Sequence, residues 1–241
     1  MDNYGTLSEN YARARREYPD EILDYLWTFL TILQPKILDI GCGTGIASRQ
    51  LAKRGAVVPG SDRYSAMIEQ AHKENDDIKY IVARTEQLPF QNAIFDVVTA
   101  FSSFHWTDHI AALQEIKRVL RNNGIVFIAN KEDGSLRMEY KQVMKKFFKP
   151  EISPMKKDYN PEKLLDDSGF KDINERIFPA NDIYSLEEGI TYLESTSLWN
   201  RIPEENLDAA KKATREFCGK KVDKNGIVKR TYEITVFVAK K

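Results

Sequence analysis

The sequence predicts an α/β fold with a doubly wound, mostly parallel sheet, and three observations support this. Short apolar runs of the length of buried strands alternate with segments of helical spacing. The first run is followed directly by a glycine cluster, Gly41–Gly45. With 241 residues, 42% of them hydrophobic, the chain is large enough to bury one substantial core. Such alternation is typical of βαβ units, in which a helix connects two parallel strands.

The first 130 residues carry the alternation most clearly. Asp20–Leu33 has apolar residues at helical spacing and stops before Pro35, which disfavours helix in the residue before it. Gly55 follows the helical segment Ile46–Arg54 in the position of a C-terminal cap. Two further helices are predicted over Tyr64–Lys73 and Ile110–Leu120. The apolar runs predicted to be strands are Lys36–Ile40, Ala56–Ser61, Ile78–Val82, Phe95–Phe101 and Gly124–Asn130.

After residue 130 the regular alternation of strand and helix patterns ends. Lys141–Lys163 contains seven lysines, three acidic residues and three prolines, which predicts a mobile, solvated connection. Alternating apolar residues predict a last strand over Arg230–Ala239. The elements predicted between these segments are a helix over Pro161–Ser168, a strand near Phe170–Phe178, and helices near Leu186–Trp199 and Glu204–Phe217.

Charge and composition limit the possible partners. Lys and Arg total 36 and Asp and Glu total 36, so the net charge is zero, and we expect no nucleic-acid partner held mainly by phosphate contacts. The lysines around residues 141–157 are interpreted as a solvated loop rather than an RNA site, because few aromatic residues accompany them. A second hypothesis is that they attract anionic small molecules to the site.

Location and metal content are predicted from what the sequence lacks. No apolar run approaches the length of a membrane-spanning helix, and the N-terminus has neither the basic nor the apolar region of a secretory signal. Two cysteines and three histidines form no metal-binding pattern. We therefore expect a cytoplasmic protein that contacts no membrane, binds no metal and exists as a monomer or weak homodimer.

The glycine cluster indicates a nucleoside site. Glycines at a strand-to-helix turn let the backbone approach a ligand closely. Asp62 lies 21 residues after Gly41, at the end of the next predicted strand, where a carboxylate can accept both hydroxyls of an adenosine ribose. In the dinucleotide pattern G-x-G-x-x-G the third glycine would fall at Ile46, whereas here it is Gly45, which disfavours a nicotinamide cofactor. The remaining alternative is that the glycines only allow a tight turn and do not bind a ligand.

These motifs resemble those of the class I S-adenosylmethionine-dependent methyltransferases over about residues 7 to 130. ILDIGCGTG, Ile37–Gly45, is similar to the family's first motif, GSDRYSAMIEQA, Gly60–Ala71, to its second, and two segments within Ala83–Trp106 to its third and fourth. The resemblance implies a Rossmann-like seven-stranded sheet with an antiparallel last strand and helical cap elements. Arg63 and Thr85 depart from the family's usual Pro and Ala.

The resemblance also implies a role for each candidate residue. Gly41 and Gly43 would approach the methionine portion, with Asp39 near its ammonium group, and Asp62 would hold the ribose. Arg63 and Met67 would border the adenine, Thr85 would offer it a backbone N–H with Glu86 alongside, and Phe101 and Ser102 would flank the cofactor. S-adenosylhomocysteine would be the product.

Within the family, NYARARREYPDEIL, Asn10–Leu23, is similar to the entry segment of small-molecule methyltransferases of the trans-aconitate type, with Arg16 in place of the usual Pro. The segment FHW at 104–106 is also similar to that branch. This implies that the residues on the substrate side are Tyr11, Arg15, Tyr18, His105 and Trp106. We expect one methyltransferase domain over residues 1–241, divided into an N-terminal cap (1–34), a cofactor-binding core (35–130) and a C-terminal half (131–241).

The residues do not decide which chemical group accepts the methyl group. A hydroxyl or amine must lose a proton, and His105 is the candidate base, the alternative being that it only packs at a strand end. A carboxylate needs no base, and Arg15 would anchor the anion instead. The expected function is methyl transfer to a small molecule, with a carboxylate as one candidate. The alternatives are a tRNA or protein acceptor, or a non-catalytic protein that binds an adenosyl ligand.

Overall fold

The protein is described by a computed structural model that covers residues 12–148 and 159–241. Seven strands form one sheet, and they are β1 Ile37–Ile40, β2 Gly60–Asp62, β3 Tyr80–Val82, β4 Phe95–Phe101, β5 Leu120–Lys131, β6 Lys171–Ser185 and β7 Ile227–Lys240. The α-helices that begin and end within the described residues are Asp20–Trp27, Ile46–Lys53, Ser65–His72, His109–Val119, Gly134–Met144, Pro161–Asp167, Leu186–Glu194 and Leu207–Gly219.

The sheet has the order β3-β2-β1-β4-β5-β7-β6. β1 pairs in parallel with β2 and β4, β2 with β3, and β4 with β5, while β7 runs antiparallel to β5. The predicted doubly wound, seven-stranded sheet with an antiparallel last strand is thereby confirmed. The chain leaves β1 toward β2 on one side and returns to β4 on the other, so the strand order reverses between β1 and β4. Ligands of doubly wound sheets bind at the carboxyl ends of strands at such a reversal.

The described residues divide into two compact units. The large unit consists of residues 17–131, 159–178 and 234–241 and the small unit of residues 12–16, 132–148 and 179–233. Each unit has its own buried core. In the large unit the core surrounds Val98, Ile116 and Ile128, and in the small unit it surrounds Tyr140, Leu193 and Phe217. The expectation of one methyltransferase domain over residues 1–241 stays a prediction.

The part of the lysine-rich segment that the structure describes differs from the predicted solvated connection. A helix, Gly134–Met144, extends into it and buries Leu136, Tyr140 and Met144 on one face. Four-residue spacing places these side chains on the same side of a helix, where they join the core of the small unit. The centre of the segment, residues 149–158, lies outside the described residues.

Some boundaries also differ for identifiable reasons. β2 begins at Gly60 rather than Ala56 because Pro59 has no N–H to donate, and Val57 makes only an isolated bridge with Lys36. The first helix ends at Trp27, and Leu33, which contributed to its apolar periodicity, is 99% exposed. In the described parts of the chain, no helix combines the length and apolar character needed to cross a membrane.

Candidate functional site

The turn that follows β1 requires glycine. Gly41, Gly43 and Gly45 have φ angles of 59°, 55° and 80°, in the left-handed region that other residues avoid. A Cβ atom at Gly41 would lie 2.4 Å from the Cβ of Ser103. Ser103, which follows β4, donates a hydrogen bond of 2.8 Å from Oγ to the carbonyl of Ile40. The turn therefore lies directly against the segment after β4, at the reversal of strand order.

Asp62 is fixed beside this turn. Its Oδ2 accepts a hydrogen bond of 3.0 Å from the N–H of Gly43, and its Oδ1 accepts one of 2.9 Å from the N–H of Tyr64. Burial raises the pKa of the carboxyl group, whereas the bonds from Tyr64 and Gly43 act to lower it. Although 19 residues separate Gly43 from Asp62, the structure brings the glycine turn and the acidic residue together, as the spacing indicated.

Asp39 is fully buried at the end of β1. Its Oδ2 accepts a hydrogen bond of 2.6 Å from the hydroxyl of Ser48, and its Oδ1 accepts one of 3.0 Å from the hydroxyl of Thr99. Loss of solvent raises the pKa of the carboxyl group to about 7, although both hydroxyls act to lower it. Asp39 thus ties β1 to β4 and to the helix that follows the turn. A role beside an ammonium group stays a prediction.

The residues expected around the adenine lie in the segments that follow β2 and β3. Met67 is buried in the helix after β2, and Arg63 is exposed, with its guanidinium carbon 5.2 Å from the centroid of the Tyr64 ring. Thr85 is buried in the turn after β3. Their contacts to a nucleoside stay predictions.

Glu86 is engaged within the protein. Its Oε1 accepts a hydrogen bond of 2.8 Å from the N–H of Asp108, and its Oε2 lies 3.4 Å from Nε of Arg84. Burial acts to raise the pKa of the Glu86 carboxyl group, but the bonds from Asp108 and Arg84 outweigh it, and the pKa is lowered. The side chain therefore anchors the segment that carries His105 and Trp106.

The side chain of Ser102, the residue that follows β4, takes part in two hydrogen bonds. Its φ of 52° is in the left-handed region, a strained conformation for a serine that occurs often at functional sites. The hydroxyl of Tyr18 lies 2.9 Å from Oγ of Ser102, and that Oγ accepts a bond of 3.2 Å from the N–H of Lys131. Nζ of Lys131 is 4.0 Å from the centroid of the Tyr18 ring, which also packs against Phe101 at 4.6 Å.

Tyr18 is positioned by its backbone. Its N–H donates to Oε1 of Gln50, and its carbonyl accepts from Nε2 of Gln50, at 2.9 and 2.8 Å. The predicted substrate residue Tyr18 and the predicted cofactor residues Phe101 and Ser102 are therefore in direct contact within the large unit.

His105 and Trp106 form an exposed aromatic group with Tyr159. The ring of His105 lies 5.0 Å from that of Trp106 and 6.0 Å from that of Tyr159, and Trp106 is 57% exposed. The hydroxyl of Tyr159 accepts a bond of 3.2 Å from Nδ2 of Asn130, near the end of β5. Thus His105 lies on the carboxyl side of the sheet, beside Trp106 and Tyr159, and its role toward a ligand stays a prediction.

The two remaining predicted substrate residues, Arg15 and Tyr11, do not belong to the described part of the large unit. Arg15 belongs to the small unit, where its Nη2 lies 3.4 Å from the carbonyl oxygen of Ser195 and its guanidinium carbon lies 5.3 Å from the centroid of the Tyr192 ring. Tyr11 lies outside the described residues.

Sequence reasoning missed Asn130, Lys131 and Tyr159. A signal existed for the first two, since they end the strand beside β4 and the carboxyl ends of parallel strands meet at one edge. Tyr159 stands far from the motifs in sequence and carried no local signal. Among the described residues, no group of three or more His, Cys, Asp or Glu could hold a metal ion.

Comparisons with known proteins find methyltransferases. Residues 38–128 match the model of a family described as a methyltransferase domain. An uncharacterized methyltransferase of Schizosaccharomyces pombe is 27% identical over 204 residues, covering 83% of this chain and 80% of the relative. The malonyl-[acyl-carrier protein] O-methyltransferase of Salmonella typhimurium is 30% identical over 142 residues, covering 56% of this chain and 57% of the relative.

A solved structure shows the same fold at low identity. Phosphoethanolamine N-methyltransferase 2 of Haemonchus contortus, in complex with phosphomonomethylethanolamine and S-adenosylhomocysteine, has a TM-score of 0.57 and 19% identity and covers 100% of this chain and 58% of that one. The chain spans about half the length of relatives from Dictyostelium discoideum and Mycobacterium bovis. The family match begins within β1 and ends within β5, the stretch that forms most of the site described above, and this stretch of the chain is therefore similar to a methyltransferase domain, in agreement with the relatives named as methyltransferases.

Proposed function

We propose that the carboxyl edge of the large unit binds S-adenosylmethionine and that the enzyme transfers a methyl group to a small-molecule acceptor, with carboxylic acids as the first class to test. The observation that supports this most strongly is the hydrogen bond from the N–H of Gly43 to the carboxylate of Asp62. This bond fixes the carboxylate beside a turn whose left-handed φ angles favour glycine.

The residues present fit the cofactor. Each oxygen of Asp62 accepts one backbone N–H, and a carboxylate has about four acceptor positions, so capacity remains for two ribose hydroxyls. Gly41 lets the turn pack directly against Ser103, because a Cβ atom at Gly41 would lie 2.4 Å from the Cβ of Ser103. Met67, Thr85 and Phe101 offer buried surface for the adenosyl portion, while Arg63 and Glu86 border it. S-adenosylmethionine supplies an activated methyl group on its sulfonium.

The protein's own contribution is mainly positioning. In-line transfer requires a nucleophile aligned with the S–CH3 bond and protected from water, and such alignment accounts for much of the barrier reduction in reactions of this kind. In this proposal Tyr18 and Ser102, which are joined by a hydrogen bond, border the reacting region. Tyr11 and Trp106 are proposed to border the acceptor.

The chemical class of the acceptor decides whether an anchoring side chain or a general base is needed. The Salmonella typhimurium relative is named as an O-methyltransferase of a malonyl group on acyl-carrier protein, which makes carboxyl oxygen a reasonable first target. A carboxylate needs no base, and Arg15 is then the proposed anchor. For a hydroxyl or amine, His105 is the proposed base, since its exposed ring can reach a ligand beside Tyr159.

A panel of acceptors tests the proposal. The full-length protein is incubated with methyl-labelled cofactor and, separately, with small carboxylic acids, phenols, amines, tRNA and protein. Label on a small molecule is the expected result. Transfer to tRNA or protein alone would replace the small-molecule acceptor with a macromolecular one. Cofactor binding without transfer to any member would favour a non-catalytic adenosyl-binding protein.

His105 requires its own comparison. If it is the base, His105→Ala lowers kcat on a hydroxyl or amine acceptor by about 100-fold or more, the usual range for general-base catalysis. His72→Ala, which removes another exposed histidine of the large unit, serves as the control. Full turnover by His105→Ala on such an acceptor would reduce His105 to a packing role.

A further inference from the structure

A cleft of about 690 Å³ opens at one edge of the sheet, within the large unit. Its lining includes the residues that directly precede β1, β2, β3 and β4, which are Lys36, Pro59, Lys79 and Ile94. These four strands are parallel, so their amino ends share one edge, and Asp62, which ends β2, lies at the other. The cleft, here called the amino-edge cleft, is therefore separate from the candidate cofactor site.

Most of the lining of the amino-edge cleft is apolar. Nine of its residues are apolar and six are charged. Val57 is 45% exposed, and Phe90 and Ile94 are only partly buried. Sites for small molecules typically have volumes of about 300–1,000 Å³ and a mainly apolar lining with a few polar groups. The cleft therefore has the size and the surface of a site for a small molecule with an apolar body, whose binding would remove this surface from water.

The charged groups that line the cleft are four cations and two carboxylates. Nη1 of Arg49 donates a hydrogen bond of 3.0 Å to the carbonyl of Thr44 and lies 3.6 Å from Oδ2 of Asp76. Nζ of Lys53 lies 3.3 Å from Oε1 of Glu17, which is outside the lining. Two of the four cations therefore already have a carboxylate beside them.

Lys36 and Lys79 are the other two cations of the lining. Among the described residues, neither ammonium group has a hydrogen-bond or ion-pair partner, and neither does the carboxylate of Asp77. Four cations thus lie near three carboxylates when Glu17 is included. A single negative charge on a ligand would balance them.

The register of the sheet places the two lysines on one face. Asp39 aligns with Gly60, and Gly60 aligns with Tyr80. Lys36 lies three residues before Asp39, and Lys79 lies one residue before Tyr80. Since side chains alternate between the two faces of a sheet, these odd offsets put both lysines on the same face. Because β2 lies between them, their backbones are roughly 10–12 Å apart, which two extended lysine side chains can span around one anionic group.

We propose that the amino-edge cleft binds an organic anion with an aromatic body. The anionic group lies between Lys36 and Lys79, and the body covers the apolar surface around Val57. An aromatic body is favoured because Phe90 and Phe95 already form an edge-to-face pair, with centroids 5.0 Å apart, and Phe90 is only partly buried. The inference goes beyond the proposed function, because this edge of the sheet requires neither the cofactor nor methyl transfer.

Two fluorescent probes with the same rings test the site in the full-length protein. Anilinonaphthalene sulfonate carries one negative charge, whereas phenylnaphthylamine lacks the sulfonate and is neutral. At low salt, the unmodified protein should bind the sulfonate saturably and at least about fivefold more tightly than the amine. The double variant Lys36→Gln/Lys79→Gln should bind the sulfonate about tenfold more weakly, about threefold for each exposed charge pair, and the amine with unchanged affinity.

Val57→Asp tests the apolar surface. Val57 is half exposed, so the substitution is expected to leave the fold intact, while its carboxylate repels the sulfonate and disrupts the surface on which the rings lie. It should weaken binding of the sulfonate at least about tenfold and of the amine several-fold.

Lys211→Gln/Lys212→Gln is the matched control. Both lysines are exposed on the helix Leu207–Gly219 of the small unit, so the double variant changes the net charge equally without touching the cleft. It should bind both probes as the unmodified protein does. Excess S-adenosylhomocysteine should also leave the affinity for the sulfonate unchanged.

Several outcomes would overturn the proposal. They are no saturable binding of the sulfonate, equal affinity for both probes, equal losses in the two lysine double variants, or unchanged affinity in Val57→Asp. Displacement of the sulfonate by S-adenosylhomocysteine would place the probe in the cofactor site instead, and self-association that Val57→Asp abolishes would assign the cleft to a second copy of the chain. Titration of S-adenosylhomocysteine alone reports on the cofactor proposal, so the two proposals fail separately.

Discussion

At the scale of single residues, two neighbouring strands end in carboxylates that the protein holds in different ways. Asp62 accepts backbone N–H groups at the sheet edge, whereas Asp39 is enclosed and accepts two hydroxyls. Hydroxyls compensate a buried charge less fully than a cation would, so the Asp39 carboxyl group has a pKa near 7 and is partly protonated at neutral pH. Asp39 is therefore expected to respond to pH in the physiological range.

Asp39→Asn should change how stability depends on pH. The pKa of Asp39 is about 7 in the folded protein, above the usual value near 4 of an unfolded chain. Its contribution is therefore fully present below about pH 4 and is lost as pH rises through 7. Relative to the variant, the unmodified protein should lose stability over this range, on the order of 4 kcal/mol. Denaturant unfolding at a series of pH values measures the difference, and parallel curves for both proteins would contradict the assignment.

Gly41→Ala should destabilise the protein more than a left-handed φ alone explains. Gly55 has a φ of 89° with nothing within 4 Å of an added Cβ, so Gly55→Ala measures backbone strain, about 1–2 kcal/mol. Gly41→Ala adds a contact of 2.4 Å with Ser103 and should cost about 1–3 kcal/mol more. The free energies of unfolding of the two variants decide this, and equal losses would show that the turn does not press against Ser103.

At the scale of elements, the long strands β6 and β7 contribute a buried polar network to the small unit. Asp182 on β6 accepts bonds from Arg230 and Tyr232 on β7 and from Tyr184 on its own strand, at 2.9, 3.1 and 3.0 Å. The Arg230 and Asp182 side chains are 2% and 6% exposed. In such surroundings a charge that loses its partner cannot be compensated by water.

Asp182→Ala should therefore destabilise the protein by about 3–5 kcal/mol, because it leaves Arg230 charged and buried without this carboxylate and removes the acceptor of two tyrosine hydroxyls. Asp167→Ala breaks an exposed pair with Lys163, in which both side chains are more than half exposed, and should cost at most about 1 kcal/mol. Urea denaturation of both variants provides the comparison. Similar losses would mean that burial does not set the strength of the Asp182 pair.

The elements also show which sequence signals succeed. β4 was predicted with its observed bounds, Phe95–Phe101, because a central strand buried on both faces is a continuous apolar run. The helix Gly134–Met144 was missed because its buried face consists of only Leu136, Tyr140 and Met144, while the apolar Met138 and Val143 are exposed and disturb the periodicity. Its position depends on packing against distant residues such as Thr214, whose hydroxyl lies 2.8 Å from that of Tyr140.

At the scale of the whole molecule, the fold was more predictable than the site. Alternation of apolar runs and helical segments is a local property, and it predicted both the sheet and the edge at which Gly43 and Asp62 meet. The contacts of Tyr18 with Ser102 and of His105 with Tyr159 join residues that are 84 and 54 positions apart, and no local pattern encodes such pairings.

The net charge, like the local sequence patterns, does not reveal which distant residues the fold brings together. The net charge of zero argued against a partner held by phosphate contacts, but a total cannot show where charges are placed. Two arginines, Arg15 and Arg230, lie with their guanidinium carbons 5.3 and 5.0 Å from the centroid of the Tyr192 ring, although the chain as a whole is neutral. They are 215 positions apart in the sequence, and only the fold brings them together.

The central claim is that the glycine turn and Asp62 form the cofactor site. Calorimetric titration with S-adenosylhomocysteine tests it most directly, with Asp62→Asn as the variant and Asp167→Asn as a matched, exposed control. The unmodified protein and the control should bind with similar affinity, while Asp62→Asn should bind at least about tenfold more weakly, because it loses charge-assisted hydrogen bonds to the ribose. Equal affinity in all three proteins, or no binding by the unmodified protein, would contradict the account.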